Sequence, residues 1–505
     1  MGKLLTHQSV SMDARFPPTS NVPLDSEAYI SNSEADPAVL NARLAAAQTT
    51  LDEPLNQRME LTAKIASYRI GIAPHKKLPP ELLSDIFRYC VPGPVSLPQQ
   101  LHAVPVLLCQ ICSTWRTVAL ETPMLWNAIE VDFGKVQGDP QAVRLLAVAK
   151  TWIARSGMST PLSIQIHIDQ CTQISLNMAG LNPIDDLIIA YINRLRKINL
   201  LMCPSFFEPL CRLPGGSAKL LEDVSLGTLD DTLSWSAALE YENLLDAAFT
   251  STSSIFPGPQ LTDLHLINNF PDPDTCHAVL RQCTNLVNCS IGIASCDKFN
   301  QILADLPPTL LPNLRQFHFM ARTTEEYAPF FRPLVLPALK NFKFGSFRDS
   351  RWANSAFISV LSRSSFDLKS LIINAVKISR SDIESLLEHM PSLVVLRLPY
   401  RAALHRSTLN MISNGDLVPN LEEIKFNGSS ITAAVDMIQS RWKLDIDLLT
   451  TRNNRSIPVS QLRKALLTGV RLDNPSHPDV VRLFRFKMEG LRINYQYRSD
   501  VPTID

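Results

Sequence analysis

The chain has 505 residues, and its 48 Lys and Arg balance 48 Asp and Glu to a formal net charge of +0. That balance leaves no global field to draw it onto nucleic acid or an anionic membrane, so neither is an expected partner. Collagen, glycine-rich linkers and wholesale disorder are excluded by 17 Gly against 36 Pro and by 45% hydrophobic residues, enough to fill a large core. Taken in chain order, residues 1–36 mix Ser, Pro, Asn and Asp without periodicity and are expected to be a disordered tail. Met1-Gly2-Lys3-Leu4-Leu5-Thr6 fits the short N-myristoylation pattern at Gly2, but few positions are specified and a single acyl chain gives only marginal membrane affinity. There is no leader of the basic-then-apolar kind and no apolar run near the roughly 18 residues of a membrane helix, which predicts a soluble protein of the cytoplasm or nucleus.

From 37 to 72, Leu40, Leu44, Ala47, Leu51, Leu55, Met59 and Ile65 recur at three- and four-residue steps, the pattern of an amphipathic helix or helical hairpin. Pro54 lacks an amide donor and is expected to kink or split it. The leucine stripe is expected to pack within the chain rather than to form a dimer seam. Next, KKLPPELLSDIFRYC places Leu82, Leu83, Ile86, Phe87 and Cys90 on one face of a short helix that starts at paired prolines. After the Pro-rich VPGPVSLPQQLHAVP comes a second amphipathic helix, VLLCQICSTWRTVALE, closed by TPMLW. Helices this short and apolar cannot bury themselves in about 60 residues, which leaves surface for a partner.

The succession LPPELLSDIF, QICSTWRTVAL, TPMLW resembles the F-box motif, with matches at Leu78, Pro79, Glu81, Leu82, Ile86, Phe87, Cys112, Trp115, Arg116, Leu125 and Trp126. Ile111 stands where the family has Val, and the Pro-rich connection is roughly ten residues longer than the common form. With the WIARSGMSTPL lead-in at Trp152 to Leu162 and a leucine-patterned body, the chain from about 38 to 500 is similar to the large F-box families of mushroom-forming fungi. The resemblance implies an all-α F-box over 73–135 that docks on a Skp-type adaptor and through it on a cullin of a ubiquitin ligase. Leu78, Pro79, Leu82, Ile86, Phe87, Ile111 and Trp115 are the expected adaptor-binding residues, divided between the box's own core and the adaptor groove. The Cys109-Gln-Ile-Cys112 spacing lacks a second pair and reads as structural thiols rather than half a zinc site.

The remainder is self-similar. LTDLHLI, LVNCSIG, LRQFHFM, LKNFKFG, LKSLIIN, LVVLRLP and LEEIKFN begin at 261, 286, 314, 339, 368, 393 and 421, with earlier copies at 221 and 195. A period of 20 to 29 residues with L-x-x-L-x-L is the leucine-rich-repeat signature, and helical phrases such as CHAVLRQC, FNQILADL, AFISVLSR and SDIESLLEHM lie between the strands. The expected fold class is therefore α/β: a helical segment and box, then over 136–450 an irregular leucine-rich-repeat solenoid, a curved parallel sheet inside and helices outside. Residues 451–505 are expected to be a C-terminal cap, with SQLRKALLTG a helix followed by a helix and a strand over DVVRLFRFKMEGLRINYQYRS.

In each strand phrase the residues between the apolar anchors face the concave side. The candidate substrate-binding residues there are Arg315, His318, Lys340, Lys343, Arg397 and Lys425, suited to an acidic or phosphorylated segment. Cys276, Cys283, Cys289 and Cys296, near His277, read as buried thiols; no metal and no cofactor are expected. There is no phosphate loop, nucleophile elbow or H-E-x-x-H, so the expected role is a non-catalytic substrate-recognition adaptor of a ubiquitin ligase. The alternative is a protein-binding scaffold that works outside any ligase.

Overall fold

A computed structural model describes residues 25–72, 78–98, 103–136, 138–169, 176, 180–202, 204–214, 216–227, 258–267, 273–293, 307–321, 327–346, 350–374, 376–428, 430–443, 459–468 and 477–495. Internal packing divides the chain into two units, Met1–Leu83 and Ser84–Asp505, with the division falling inside a helix.

The first unit is dominated by α1 (Asp25–Ile72), one continuous helix of 48 residues, about 72 Å long at 1.5 Å per residue. It runs on through Pro37 and Pro54, so the expected split at Pro54 does not occur. Just before Pro54 the Thr49 and Thr50 hydroxyls donate to the carbonyls of Ala45 and Ala46 in the preceding turn. The helix also begins at Asp25, inside the stretch expected to be disordered, which carries the good helix formers Glu27, Ala28, Glu34 and Ala35. The leucine stripe expected to pack within the chain is exposed from Leu40 to Ile65. Residues 1–24, with the Gly2 pattern, lie outside the described residues.

Helix α2 (Pro80–Tyr89) carries the division, and the second unit continues through β1 (Val95–Leu97), α3 (Val104–Ile111), α4 (Ser113–Leu120) and β2 (Ala128–Asp132). The stretch expected to be all helix thus holds two strands, paired in parallel as Val95–Ile129 and Leu97–Val131. The cause lies in the long connection: Val95 and Leu97 alternate with Ser96 and bury both apolar side chains against the sheet. The second box helix is also two helices. Cys112 breaks it with extended backbone, and its thiol caps α4 by accepting from the Trp115 amide at 3.4 Å.

After α5 (Asp139–Arg155) the strands succeed one another as β3 (Leu162–His167), β4 (Leu195–Leu201), β5 (Asp223–Gly227), β6 (Asp263–Ile267) and β7 (Asn288–Ile293). The series continues through β9 (Gln316–Ala321), β11 (Asn341–Ser346), β13 (Ser370–Ile373), β15 (Val395–Arg397), β17 (Glu423–Gly428), β18 (Lys464–Thr468) and β19 (Arg492–Tyr495). Together with β1, β2 and the short β16 (Ala403–Leu404) beside β17, they form one 15-stranded sheet whose order follows the chain and does not close into a barrel. Every registered pair in it is parallel. Two outlying pairs, β8 (Thr309–Leu310) with β10 (Leu334–Val335) and β12 (Ser350–Arg351) with β14 (Val376–Lys377), are parallel as well.

Parallel strands need return crossovers, and among the described residues helices fill that role. They include α7 (Pro273–Gln282), α9 (Asn354–Ser364), α10 (Arg380–Glu388), α11 (Arg406–Ser413) and α12 (Ile431–Trp442); α6 (Glu208–Cys211) and α8 (Ala328–Phe331) are single turns. The structure is mixed α/β with a large parallel sheet. The first Leu of each strand phrase is buried, from Leu195 to Leu421, as are the two anchors after it. Mid-sheet the anchors are aromatic: Phe319 stacks on Phe344 with ring centroids 5.8 Å apart, and Phe317 is tilted against Phe342 at 5.8 Å and against Phe319 at 6.0 Å.

One C-terminal expectation changes. SQLRKALLTG is not a helix but supplies β18, because Leu462, Ala465 and Leu467 repeat the strand phrase with Ala in the fourth position, and all three are buried. Helix α13 (Pro478–Met488) and β19 form as expected, after β18 rather than after a helix. Arg482 binds Asp436 and Gln439 of α12, while Val481, Phe484 and Met488, a turn away around α13, are exposed. The FNQILADL helix lies outside the described residues.

Candidate functional site

Two surfaces carry the residues singled out by sequence. The first is built on α2 and α4. Phe87 is fully buried, its ring 4.9 Å from that of Trp115 at 56°, and the Thr122 hydroxyl donates to the Val118 carbonyl (2.6 Å) and lies 2.9 Å from the Ser84 hydroxyl. Behind them Trp126 is fully buried, donates to the Ala119 carbonyl at 2.8 Å, stands edge-on to Trp152 at 4.7 Å and carries the Arg155 guanidinium 4.8 Å from its ring. This core holds the helix ends against the first strands of the sheet.

With one side of α2 fixed, its other side is set by helical spacing. Leu82, Ile86 and Tyr89 recur at i, i+4 and i+7, and Leu82 and Ile86 are 50% and 45% exposed. Ile111, at the end of α3, is 55% exposed, and Leu120 and Met124 are exposed after it. Of the seven expected adaptor-binding residues, Leu82, Ile86, Ile111 and Pro79 therefore stand outward, and Leu78 and Trp115 are half-buried. Phe87, among the residues expected to divide between core and adaptor groove, has no exposed surface and lies in the core against Trp115. Large apolar side chains left in water at this density are a mark of a protein-docking surface.

Cys109 lies in α3 and Cys112 at the helix break, and burial, partly offset by Arg155 and Arg116, raises the Cys109 thiol. Around the Pro-rich connection Val91–Ser96 and Ala103–Pro105 border an open hollow of about 380 Å³ that has no titratable side chain in its lining among the described residues.

The second surface is the open face of the sheet. Strand register turns the column predicted from sequence into a ladder, His265–Ser290–His318–Lys343–Ile372–Arg397–Lys425. The candidates on it differ in state. His318 meets the Ser290 hydroxyl at 3.0 Å, and burial together with the charge of Lys343 and the neighbouring His265 holds its imidazole down at about 4, uncharged at neutral pH. Arg397 is spent on Glu423 at 2.6 Å, which Lys464 also reaches at 3.3 Å. Arg315, Lys340 and Lys343 are exposed, and Lys425 is half-buried. Lys369, which was not among the candidates selected from sequence, lies next to Lys340, its amide donating to the Lys340 carbonyl at 2.7 Å.

Cys276, Cys283 and Cys289 are buried, and burial pushes Cys283 up to about 12; Cys296 lies outside the described residues. Among the described residues no three His, Cys, Asp or Glu side chains gather as a metal site, and no helix is long and apolar enough to cross a membrane. Comparison with protein-family models and with curated proteins finds no match to this chain.

Proposed function

We propose that the chain is a substrate-recognition adaptor of a Skp-cullin-F-box type ubiquitin ligase. The box would dock on the Skp-type adaptor, and the open face of a leucine-rich-repeat sheet would hold a protein substrate. The observation that carries the first half is the sorting of the box residues: Phe87 is buried against Trp115, while Leu82, Ile86 and Ile111 stay exposed. A self-contained helical unit has no reason to leave its bulkiest aliphatic side chains in water, and an interface core needs such anchors. The second half rests on the 25- to 29-residue period and on strands that pair in register in chain order. Such an array gives a long, rigid, polar face suited to a partner segment.

No chemistry is required of this chain. By binding substrate at one end and the ligase at the other, it raises the effective concentration of substrate lysines near a ubiquitin-charged conjugating enzyme. The first test is co-purification of the full chain with a Skp-type adaptor and a cullin. Capture of both, lost in Leu82→Asp/Ile86→Asp, supports the proposal. Capture of the adaptor without the cullin favours a scaffold outside any ligase.

A further inference from the structure

We infer that the open face of the sheet at Arg315, Lys340, Lys343 and Lys369 is a docking site for an Asp- and Glu-rich segment of a partner protein, which on the adaptor reading above is the substrate. The site rests on that reading only for the partner's fate, since its chemistry comes from charge and register.

In a chain of zero net charge, cations at a surface normally find carboxylates, and on both flanks of this sheet they do. At one side Arg196 pairs with Glu222 (2.8 Å) and Lys197 with Asp223 (3.1 Å). At the other, Arg463 pairs with Glu422 (3.3 Å), and Arg397 and Lys464 share Glu423. Between the flanks the compensation stops. The described residues from 307 to 374 contain Arg315, Arg332, Lys340, Lys343, Arg351, Arg363 and Lys369 and a single carboxylate, Asp367. Among the described residues none of Arg315, Lys340, Lys343 and Lys369 has an acidic partner.

The backbone holds these cations together. The Lys340 amide donates to the Arg315 carbonyl at 3.0 Å and the Lys369 amide to the Lys340 carbonyl at 2.7 Å, which continues the sheet one residue upstream of the strands. Three cations thus stand on successive strands across about 10 Å, given strand spacings near 4.8 Å. Lys343 extends the patch along β11 beside His318. The same positive field disfavours a proton on His318, whose Nε2 is shielded from water and meets no partner among the described residues. Like charges fixed this closely fit a ligand that brings several carboxylates within about 10 Å, as an acidic run does.

The test uses the full chain and a fluorescein-labelled peptide of about twelve residues with alternating Glu, beside its Gln counterpart, in about 0.15 M salt, where surface fields are screened beyond about 8 Å. The expected result is that the Glu peptide binds at least about tenfold tighter than the Gln peptide. Lys340→Glu/Lys369→Glu removes that preference, while Arg485→Glu/Lys487→Glu on α13 leaves it within about twofold. Equal effects of the two double variants, or tighter capture of single-stranded DNA or phosphatidylserine vesicles through the same lysines, would overturn the site. All four substitutions are at exposed positions, and circular dichroism checks that the fold is kept. Loss of Skp-type adaptor capture with peptide binding intact counts against the ligase reading alone, and the reverse counts against this site alone.

Discussion

Ile86 and Phe87 are neighbours in sequence and opposites in environment: Phe87 has no exposed surface and lies 4.9 Å from Trp115, whereas Ile86 is 45% exposed on the other side of α2. That pair separates folding from docking. Phe87→Ala leaves a cavity beside Trp115 and is expected to cost about 3–5 kcal/mol, seen as a lower midpoint in urea unfolding. Ile86→Asp is expected to stay within about 0.5 kcal/mol of the parent, because its side chain has little packing to lose. Equal destabilisation by the two would show that α2 is not sorted in this way.

A second prediction concerns acid. His277 is buried, with Nδ1 at 3.1 Å from the Thr309 hydroxyl and Nε2 at 3.0 Å from the Phe330 carbonyl, and burial is the main cause that brings its pKa down to about 4. Its folded pKa lies below the roughly 6.5 of an unfolded chain, so between those values the unfolded state binds the extra proton. The contribution is complete above about pH 6.5 and is lost as pH falls toward 4, with a ceiling on the order of 3 kcal/mol. Urea unfolding of the parent and of His277→Gln at pH 7.5 and 5 checks the sign: the parent loses more stability on acidification than the variant.

A third rests on Arg441, fully buried, with hydrogen bonds to the carbonyls of Ile412, Val418, Pro419, Leu421 and Ser460 at 2.9–3.4 Å. Its guanidinium closes the turn before β17, where Val418 is held at a φ of 42°, a conformation valine rarely adopts. Burial lowers the guanidinium to about 10, so it stays charged at neutral pH. Arg441→Lys keeps a cation but cannot span these acceptors, and is expected to cost about 2 kcal/mol; Arg441→Met should cost roughly 3 kcal/mol or more. Thermal unfolding of both variants measures this, and wild-type stability in Arg441→Lys would refute it.

The strand series from 261 to 421 was legible because its anchors repeat at a period no helix shares. The strand at Lys464–Thr468 was not, since Ala465 replaces the anchor at the fourth position and Leu466 and Leu467 in tandem blur the alternation. The break at Cys112 hid in a continuous apolar pattern, because a thiol cap leaves no periodic trace. For the open face, sequence identified the cations but not their partners. Arg397 and Glu423 are 26 residues apart, and only the folded strands show that one neutralises the other while Arg315, Lys340 and Lys369 meet no carboxylate among the described residues. The exposure of the α1 stripe was equally hidden, since helical spacing fixes which residues share a face but not what covers it.

A fourth prediction tests the stacking of successive units. A Cβ on Gly258 would lie 2.8 Å from the Gln282 carbonyl oxygen and 2.9 Å from its carbon, backbone atoms at the end of α7 that cannot swing aside. Gly258→Ala is expected to cost about 1–3 kcal/mol. Gly93, where a Cβ meets open space, serves as the control, and equal unfolding midpoints for Gly258→Ala and Gly93→Ala would contradict the close approach.

The central claim is that the exposed aliphatic residues of the box dock on a Skp-type adaptor, and the most direct measurement is calorimetric titration of the purified full chain with that adaptor. The account predicts a one-to-one complex of micromolar affinity or better, weakened at least about a hundredfold, or about 2.7 kcal/mol, by Leu82→Asp/Ile86→Asp with the unfolding midpoint unchanged. Failure of the intact chain to bind, or undiminished binding by the double variant, would contradict it.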